Sequence, residues 1–259
     1  MTVHALRVDE LTVSYGGVLA VDGVSLTVAP GEIVGLIGPN GAGKTSLIDA
    51  VTGFTPARGR VQVRGAPIDG LTPHRRARAG LARTFQSVEL FDELTVEENL
   101  RVAASDPRWW SPFVDAVRPR DRHHEDVRWA LDAVGLADAG DAMPTELPAG
   151  RTRLVGLARA LVRRPAVLLL DEPAAGLDTG ESASLGVRIR AVADSGVAVL
   201  LVDHDMSLVL SVCDRVSVLD FGRIIATGTP AAVRDDPRVI EAYLGTSAGA
   251  VPMRAEEDG

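Results

Sequence analysis

The amino-acid sequence predicts an α/β protein built around a phosphate-binding loop. Three observations carry that expectation. The apolar run Ile33-Val34-Gly35-Leu36-Ile37 leads straight into Gly38-Pro39-Asn40-Gly41-Ala42-Gly43-Lys44-Thr45, and a helical pattern follows from Ser46. A second apolar run, residues 167–170, closes in the carboxylates Asp171 and Glu172, and a third, residues 197–202, ends in Asp203-His204-Asp205. Ahead of all of them, residues 3–28 alternate apolar and polar in strand fashion.

The central loop is spelled as its chemistry requires. Glycines let backbone N–H groups curl around an anion. The start of the following helix, with Thr45 and Ser46, adds free N–H groups and the positive end of a dipole. Lys44 supplies a mobile charge for the β- and γ-phosphates of a nucleotide, and the Thr45 hydroxyl is a hard oxygen ligand for Mg²⁺. Of the 27 basic residues, 26 are arginine, so Lys44 is the only lysine in the chain. The lone lysine stands where a planar guanidinium would not replace a compact ammonium.

Length and composition bound the rest. A chain of 259 residues makes one or at most two domains with ample length for a core. A net charge of −8 argues against a general nucleic-acid binder. Cys213 is the one cysteine, which rules out an internal disulfide and suits a small buried hydrophobe. No apolar run approaches the ~20 residues that span a bilayer, and the first residues do not spell a signal peptide. The expectation is a soluble, intracellular chain whose membrane role, if it has one, comes through partners.

In order, strands are expected at residues 6–8, 11–15 and 24–28, with Gly16-Gly17 and Asp22-Gly23 as turns, giving an antiparallel sheet before the loop strand. Tyr15 ends one of these strands; it is either a stacking platform for a base or an ordinary strand tyrosine. Beyond the loop helix come a strand at 59–65, a short basic helix at 73–79, and a strand at 81–86 ending in Gln86, whose amide can reach Mg²⁺ or an attacking water. Thr95 caps a helix with Glu98 completing a capping box. Residues 105–121, with Trp109 and Trp110, read as an irregular insertion, either a partner contact or cover for their own lobe.

His123-His124 lacks metal-ligand spacing and reads as a surface helix start. An amphipathic helix follows at 126–134, a turn at 144–150 and a helix at 151–164. Asp171 at its strand end suits a Mg²⁺ shell, and Glu172 suits polarising the attacking water. Gly176-Leu177-Asp178 is a turn before a helix at 181–192. His204 sits where phosphates bind in parallel α/β sheets, although a lone histidine is also an ordinary structural residue. A hairpin around Phe221-Gly222, two short helices and a disordered tail at 246–259 complete the chain.

Taken as an ordered set, these residues resemble the ATP-binding subunit of ABC transporters over roughly residues 3–245. The resemblance implies an α/β P-loop cassette: a RecA-like core, an antiparallel β subdomain, and an inserted helical subdomain near 90–160. It makes Tyr15 the adenine-stacking aromatic, residues 38–45 the phosphate loop and Gln86 the Q-loop glutamine. Asp171 and Glu172 become the Mg²⁺ carboxylate and catalytic glutamate, Asp178 the D-loop aspartate and His204 the switch histidine. The stretches Arg83-Thr84-Phe85-Gln86, Asp203-His204-Asp205-Met206 and Val239-Ile240-Glu241-Ala242-Tyr243-Leu244-Gly245 look like branched-chain amino-acid importer ATPases. That family implies ATP and Mg²⁺, a second ATPase subunit, integral membrane permeases at the cytoplasmic face, and indirectly an extracytoplasmic solute-binding protein.

One landmark departs from the pattern. The family signature reads Leu-Ser-x-Gly-Gln, and here the chain has Leu147-Pro148-Ala149-Gly150-Arg151. In the family the serine hydroxyl contacts the γ-phosphate held by the partner subunit. Pro148 has neither hydroxyl nor N–H. The expectation is a poor lid over the partner's nucleotide, with this chain's own site intact: a heterodimer with one good site, a homodimer with two weak ones.

Overall fold

The computed structural model describes residues 4–84, 89–105 and 123–248. Gln86, the Trp109-Trp110 insertion and residues 249–259 lie outside them.

Strand β3 (Ile33–Ile37) is buried along its whole length, as are β7 (Val167–Asp171) and β8 (Ala198–Val202). Strands buried on both faces need apolar side chains at every position, which is why these runs do not alternate. They belong to a six-stranded sheet in which β9 (Arg215–Asp220), β3, β8, β7 and β6 (Leu81–Arg83) run parallel, with β10 (Arg223–Gly228) antiparallel at one edge. The two faces feed separate cores. Ile33, Ile37, Leu168, Leu170, Val199 and Leu201 pack with the helices, while Val34, Leu36, Val167, Leu169 and Leu200 pack toward a second sheet and the loop helix.

That second sheet is antiparallel in the order β2-β1-β4-β5, from β1 (Leu6–Tyr15), β2 (Val18–Val28), β4 (Arg58–Val63) and β5 (Ala66–Pro67). The expected break at Asp22-Gly23 is not a turn. It lies inside β2, where the register against β1 shifts between Leu11–Val24 and Val13–Val21. Gly23 takes φ +63 there, and Glu10 takes φ +48 at a second shift, between Val8 and Leu11; bulges absorb both, so the expected strands at 6–8 and 11–15 join as β1 and β2 begins at Val18 rather than at residue 24.

The helices are α1 (Lys44–Thr52), α2 (Pro73–Arg78), α3 (Val96–Ala104), α4 (His124–Val134), α5 (Ala149–Leu161), α6 (Thr179–Asp194), α7 (Met206–Val212), α8 (Pro230–Arg234) and α9 (Pro237–Ala248). Thr95 and Glu98 form the expected capping box, and Asp178 with Glu181 forms another at the start of α6. Several boundaries differ from expectation by a few residues. β6 runs from Leu81 to Arg83, the Thr84 N–H still donates to the Leu169 carbonyl of β7 at 2.9 Å, and the expected end at Gln86 lies outside the described residues. α5 begins at Ala149 rather than at residue 151, because extended Pro148 (φ −57, ψ 154) caps it from outside. α9 runs to Ala248, so residues 246–248 of the expected disordered tail are helical. No helix among the described residues is long and apolar enough to cross a membrane.

Candidate functional site

Parallel order brings the carboxyl ends of β3, β6, β7 and β8 to one edge of the sheet, where ligands collect in open α/β sheets. Gly38, Thr84, Glu172 and Asp203 leave their strands there.

The loop after β3 needs its glycines. Gly43 takes φ +105 and caps α1, and a Cβ there would lie 2.2 Å from the Ala20 carbonyl of β2. At Gly38 (φ +155) a Cβ would lie 2.0 Å from the Leu219 carbonyl of β9. The loop is therefore pinned between two strands by backbone approach alone. Lys44 Nζ donates to the carbonyls of Gly38 (2.6 Å) and Pro39 (2.9 Å), spanning the mouth of the loop. Burial lowers the Lys44 pKa, and the charges of Glu172 and Asp171 oppose that. A cation at the mouth of a glycine-bent loop and a helix start, near two carboxylates, fits a nucleotide phosphate with a divalent cation between them.

Asp171, 5 % exposed, ends β7. One of its oxygens accepts from Arg83 (2.9 Å), and the other arm of that guanidinium meets Asp49 of α1 at 2.5 Å. Glu172 follows with φ +48, a left-handed conformation unusual for a residue with a side chain, and its N–H donates to the Val202 carbonyl at 2.7 Å. Backbone strain of this kind persists where the surroundings over-determine it. His204 Nδ1 stands 3.9 Å from Glu172 Oε2, on a largely exposed ring.

Asp203 and Asp205 hold the histidine's loop. Asp203 is fully buried and accepts from the N–H groups of Ala174 (3.1 Å) and Asp205 (2.9 Å). Asp205 caps α7 through the N–H groups of Ser207 and Leu208 and accepts from Ser182 Oγ of α6 at 2.9 Å. The segment after Glu172 and the segment around His204 are thus tied by carboxylates.

Tyr15 is half exposed at the end of β1, its hydroxyl 3.4 Å from Thr55 Oγ1 just beyond α1. The same hairpin carries exposed Val18 and Leu19 and the Ala20 carbonyl that covers Gly43. From the other side, Tyr243 of α9 reaches the loop: burial pushes its phenol up, and a hydrogen bond from the Gly38 N–H works against that.

The stretch Leu147-Pro148-Ala149-Gly150-Arg151 opens α5 on the helical side. Pro148 offers no side-chain cap, and Arg151 is engaged with Asp138 at 2.6 Å. A Cβ on Gly150 would lie 2.9 Å from Glu181 Oε1.

The ABC transporter family profile matches residues 21–175, more than half of the chain. The chain belongs to the ABC transporter family. A second profile, described as the branched-chain amino acid ATP-binding cassette transporter, matches residues 223–249 of this ABC subunit. It is 41% identical over 253 residues to the high-affinity branched-chain amino acid transport ATP-binding protein BraF of Pseudomonas aeruginosa, covering 95% of this chain and 99% of that one. It is 39% identical over 254 residues to the corresponding protein LivG of Escherichia coli K12, with 95% and 99% covered. The ADP conformation of MJ1267, an ATP-binding cassette of an ABC transporter, superposes with a TM-score of 0.81 at 31% identity, covering 94% of this chain and 100% of that one. The molecule is thus a nucleotide-binding, ATP-hydrolysing subunit of a membrane transporter.

Within this ABC cassette the structure brings Lys44, Asp171, Glu172 and His204 to one sheet edge and sets residues 147–151 apart on the helical side. Gln86 lies outside the described residues. Sequence reasoning passed over Arg83, Asp49, Asp203 and Tyr243 as site residues. Arg83 and Tyr243 stood in stretches that resemble importer ATPases, which was the available signal. Asp203 stood in such a stretch too, beside His204, but its partner Ala174 is 29 residues away; Asp49 gave no signal, because its partner Arg83 is 34 residues away.

Proposed function

We propose that this ABC subunit powers import of branched-chain amino acids or related amides from the cytoplasmic face of the plasma membrane, paired with a second, different ATPase subunit on integral permeases. An extracytoplasmic solute-binding protein delivers the cargo. The names of the full-length relatives support the cargo, and the C-terminal profile over residues 223–249 supports it separately. The acidic balance of the chain supports no nucleic-acid role.

The hydrolytic reading rests above all on one observation: Glu172 is held in a left-handed conformation beside Val202, with His204 3.9 Å away. ATP stacks its adenine on Tyr15. Its phosphates lie along the N–H groups of residues 38–46, with Lys44 turned from its own carbonyls to the β- and γ-oxygens. Glu172 takes the proton of a water whose oxygen attacks the γ-phosphorus, and the bond to the β-bridging oxygen breaks to release ADP. His204 orients the γ-phosphate side of that arrangement. Thr45, Asp171 and Gln86 would hold Mg²⁺, which supplies charge neutralisation on the phosphate oxygens. The partner subunit's signature and Asp178 region close over the nucleotide.

Pro148 and the Arg151–Asp138 pair support the heterodimer. A proline cap gives no hydroxyl to a partner's γ-phosphate, and the arginine beside it is engaged within its own lobe. The test is ATP turnover of this chain alone and mixed with its companion ATPase, with Glu172→Gln as control. Activity arising only in the mixture is expected. Strong activity of the chain alone overturns the asymmetric reading and favours a homodimer. Stimulation of the reconstituted transporter by leucine-loaded binding protein tests the cargo.

A further inference from the structure

Arg83 closes β6 with its side chain 9% exposed, between an aspartate of the loop helix and the aspartate that ends β7. Its Nη1 meets Asp49 Oδ1 at 2.5 Å and lies 3.4 Å from Thr52 Oγ1, while Nη2 meets Asp171 Oδ2 at 2.9 Å. We propose that Arg83 is a positioning residue for the Mg²⁺ site, its guanidinium fork fixing the orientation in which Asp171 faces the metal. This rests on the reading of Asp171 as the Mg²⁺ carboxylate given above.

The chemistry favours positioning over simple neutralisation. One cation between two carboxylates leaves the trio at −1, so Asp171 keeps its pull on a divalent cation while losing its freedom to rotate. A planar fork can hold two carboxylates in set directions at once; an ammonium can reach both only as a point charge. A buried ion pair is weak evidence for stability, so its place beside the phosphate loop calls for another account. Partners that hydrogen-bond a metal-ligating carboxylate orient it, and removing them weakens metal affinity by about 10- to 100-fold.

Location adds a second role for the same fork. Arg83 lines two cavities, one of about 280 Å³ toward α5 and one of about 320 Å³ toward α2 and Phe54, and their linings share only Arg83 and Ala160. It is also two residues ahead of Phe85-Gln86. Anything that displaces Arg83 from the cavity side moves the partner of Asp171 on the other.

The test needs no turnover. Binding of a fluorescent ATP analogue to the full chain is measured in EDTA and then as Mg²⁺ is titrated in. For Arg83→Gln, affinity in EDTA should stay within about twofold of the parent, while the Mg²⁺ concentration for half of the metal-dependent enhancement rises about tenfold. Arg83→Lys should fall between the two. Asp49→Asn should shift the metal midpoint in the same direction by less, and the double variant Arg83→Gln/Asp49→Asn should be no worse than Arg83→Gln alone. An unchanged metal midpoint overturns the inference. So does a parallel loss of binding in EDTA with early melting, which would make Arg83 a structural strut. If Arg83→Gln does not fold, Asp49→Asn decides, since it leaves Arg83 in place. Asp171→Asn separates the two readings: metal dependence surviving there removes Asp171 from the metal, whereas dependence lost there but intact in Arg83→Gln defeats only the role of Arg83.

Discussion

His204 Nδ1 stands 3.9 Å from Glu172 Oε2 and 3.6 Å from Oδ1 of the buried Asp203. The histidine is therefore set between a carboxylate free to work and one that is fully occupied by backbone N–H groups. Glu172→Gln keeps the shape and removes the base, so steady-state phosphate release should fall about 10²- to 10⁴-fold with nucleotide binding retained. Phosphate release by the variant at the parent rate would exclude Glu172 as the base.

Asp203 serves the fold before it serves the chemistry. It accepts from the N–H groups of Ala174 and Asp205, both at hydrogen-bond distance in the interior. Asp203→Ala strands these donors at about 1–3 kcal/mol each, so urea denaturation should show a loss of about 2–5 kcal/mol. Ser182→Ala, which removes one hydroxyl donor to Asp205, should cost about 1 kcal/mol.

The phenol of Tyr243 carries the C-terminal helix to the phosphate loop. Its partner is the N–H of Gly38, the residue where a Cβ would strike Leu219. Tyr243→Phe deletes one hydrogen bond and little packing, an expected loss of about 0.5–1.5 kcal/mol. Nucleotide affinity, followed by fluorescence titration, should weaken about two- to tenfold, with the melting temperature lowered by a few degrees at most.

Pro148 is the cap of α5 and has no side-chain hydrogen-bonding group to offer either its own helix or a partner. Pro148→Ser should restore a capping hydrogen bond worth about 1 kcal/mol and raise ATP turnover of the chain alone. An unchanged rate would show that the proline signature is already competent.

Cys213 packs against Gly35, where an added Cβ would lie 3.0 Å from its sulfur. Burial pushes its thiol up to about 12, from 9.0 in the open chain. The unfolded thiol ionises before the folded one, so this contribution to stability is complete below about pH 9 and falls as pH rises toward 12. A thiol reagent at pH 8 should label Cys213 only as fast as the protein opens, and labelling should track urea concentration.

The two-sided strands and the glycine-bent loop before α1 were legible in the residue order alone. Those signals are local: an apolar run at 167–170 must be buried, and glycines ahead of Lys44 and Thr45 must bend a backbone around an anion. The residue order also located the helix cap at Thr95, because a capping box spans only four residues, whereas Asp178 read only as a turn and its cap on α6 came from the structure. Tertiary structure decided what lies far apart in the chain. The Asp22-Gly23 pair reads as a turn, and only the pairing of Val24 with Leu11 and of Val21 with Val13 on either side makes it a bulge. Arg83 reads as one arginine among 26, and becomes a bridge only when β6 and β7 lie side by side with α1 above them. The same holds for Asp203 under Ala174 and Tyr243 over Gly38. Hydrogen bonds and ion pairs act over about 3 Å in space, with no reference to separation along the chain, so the pattern of residue types alone does not encode them.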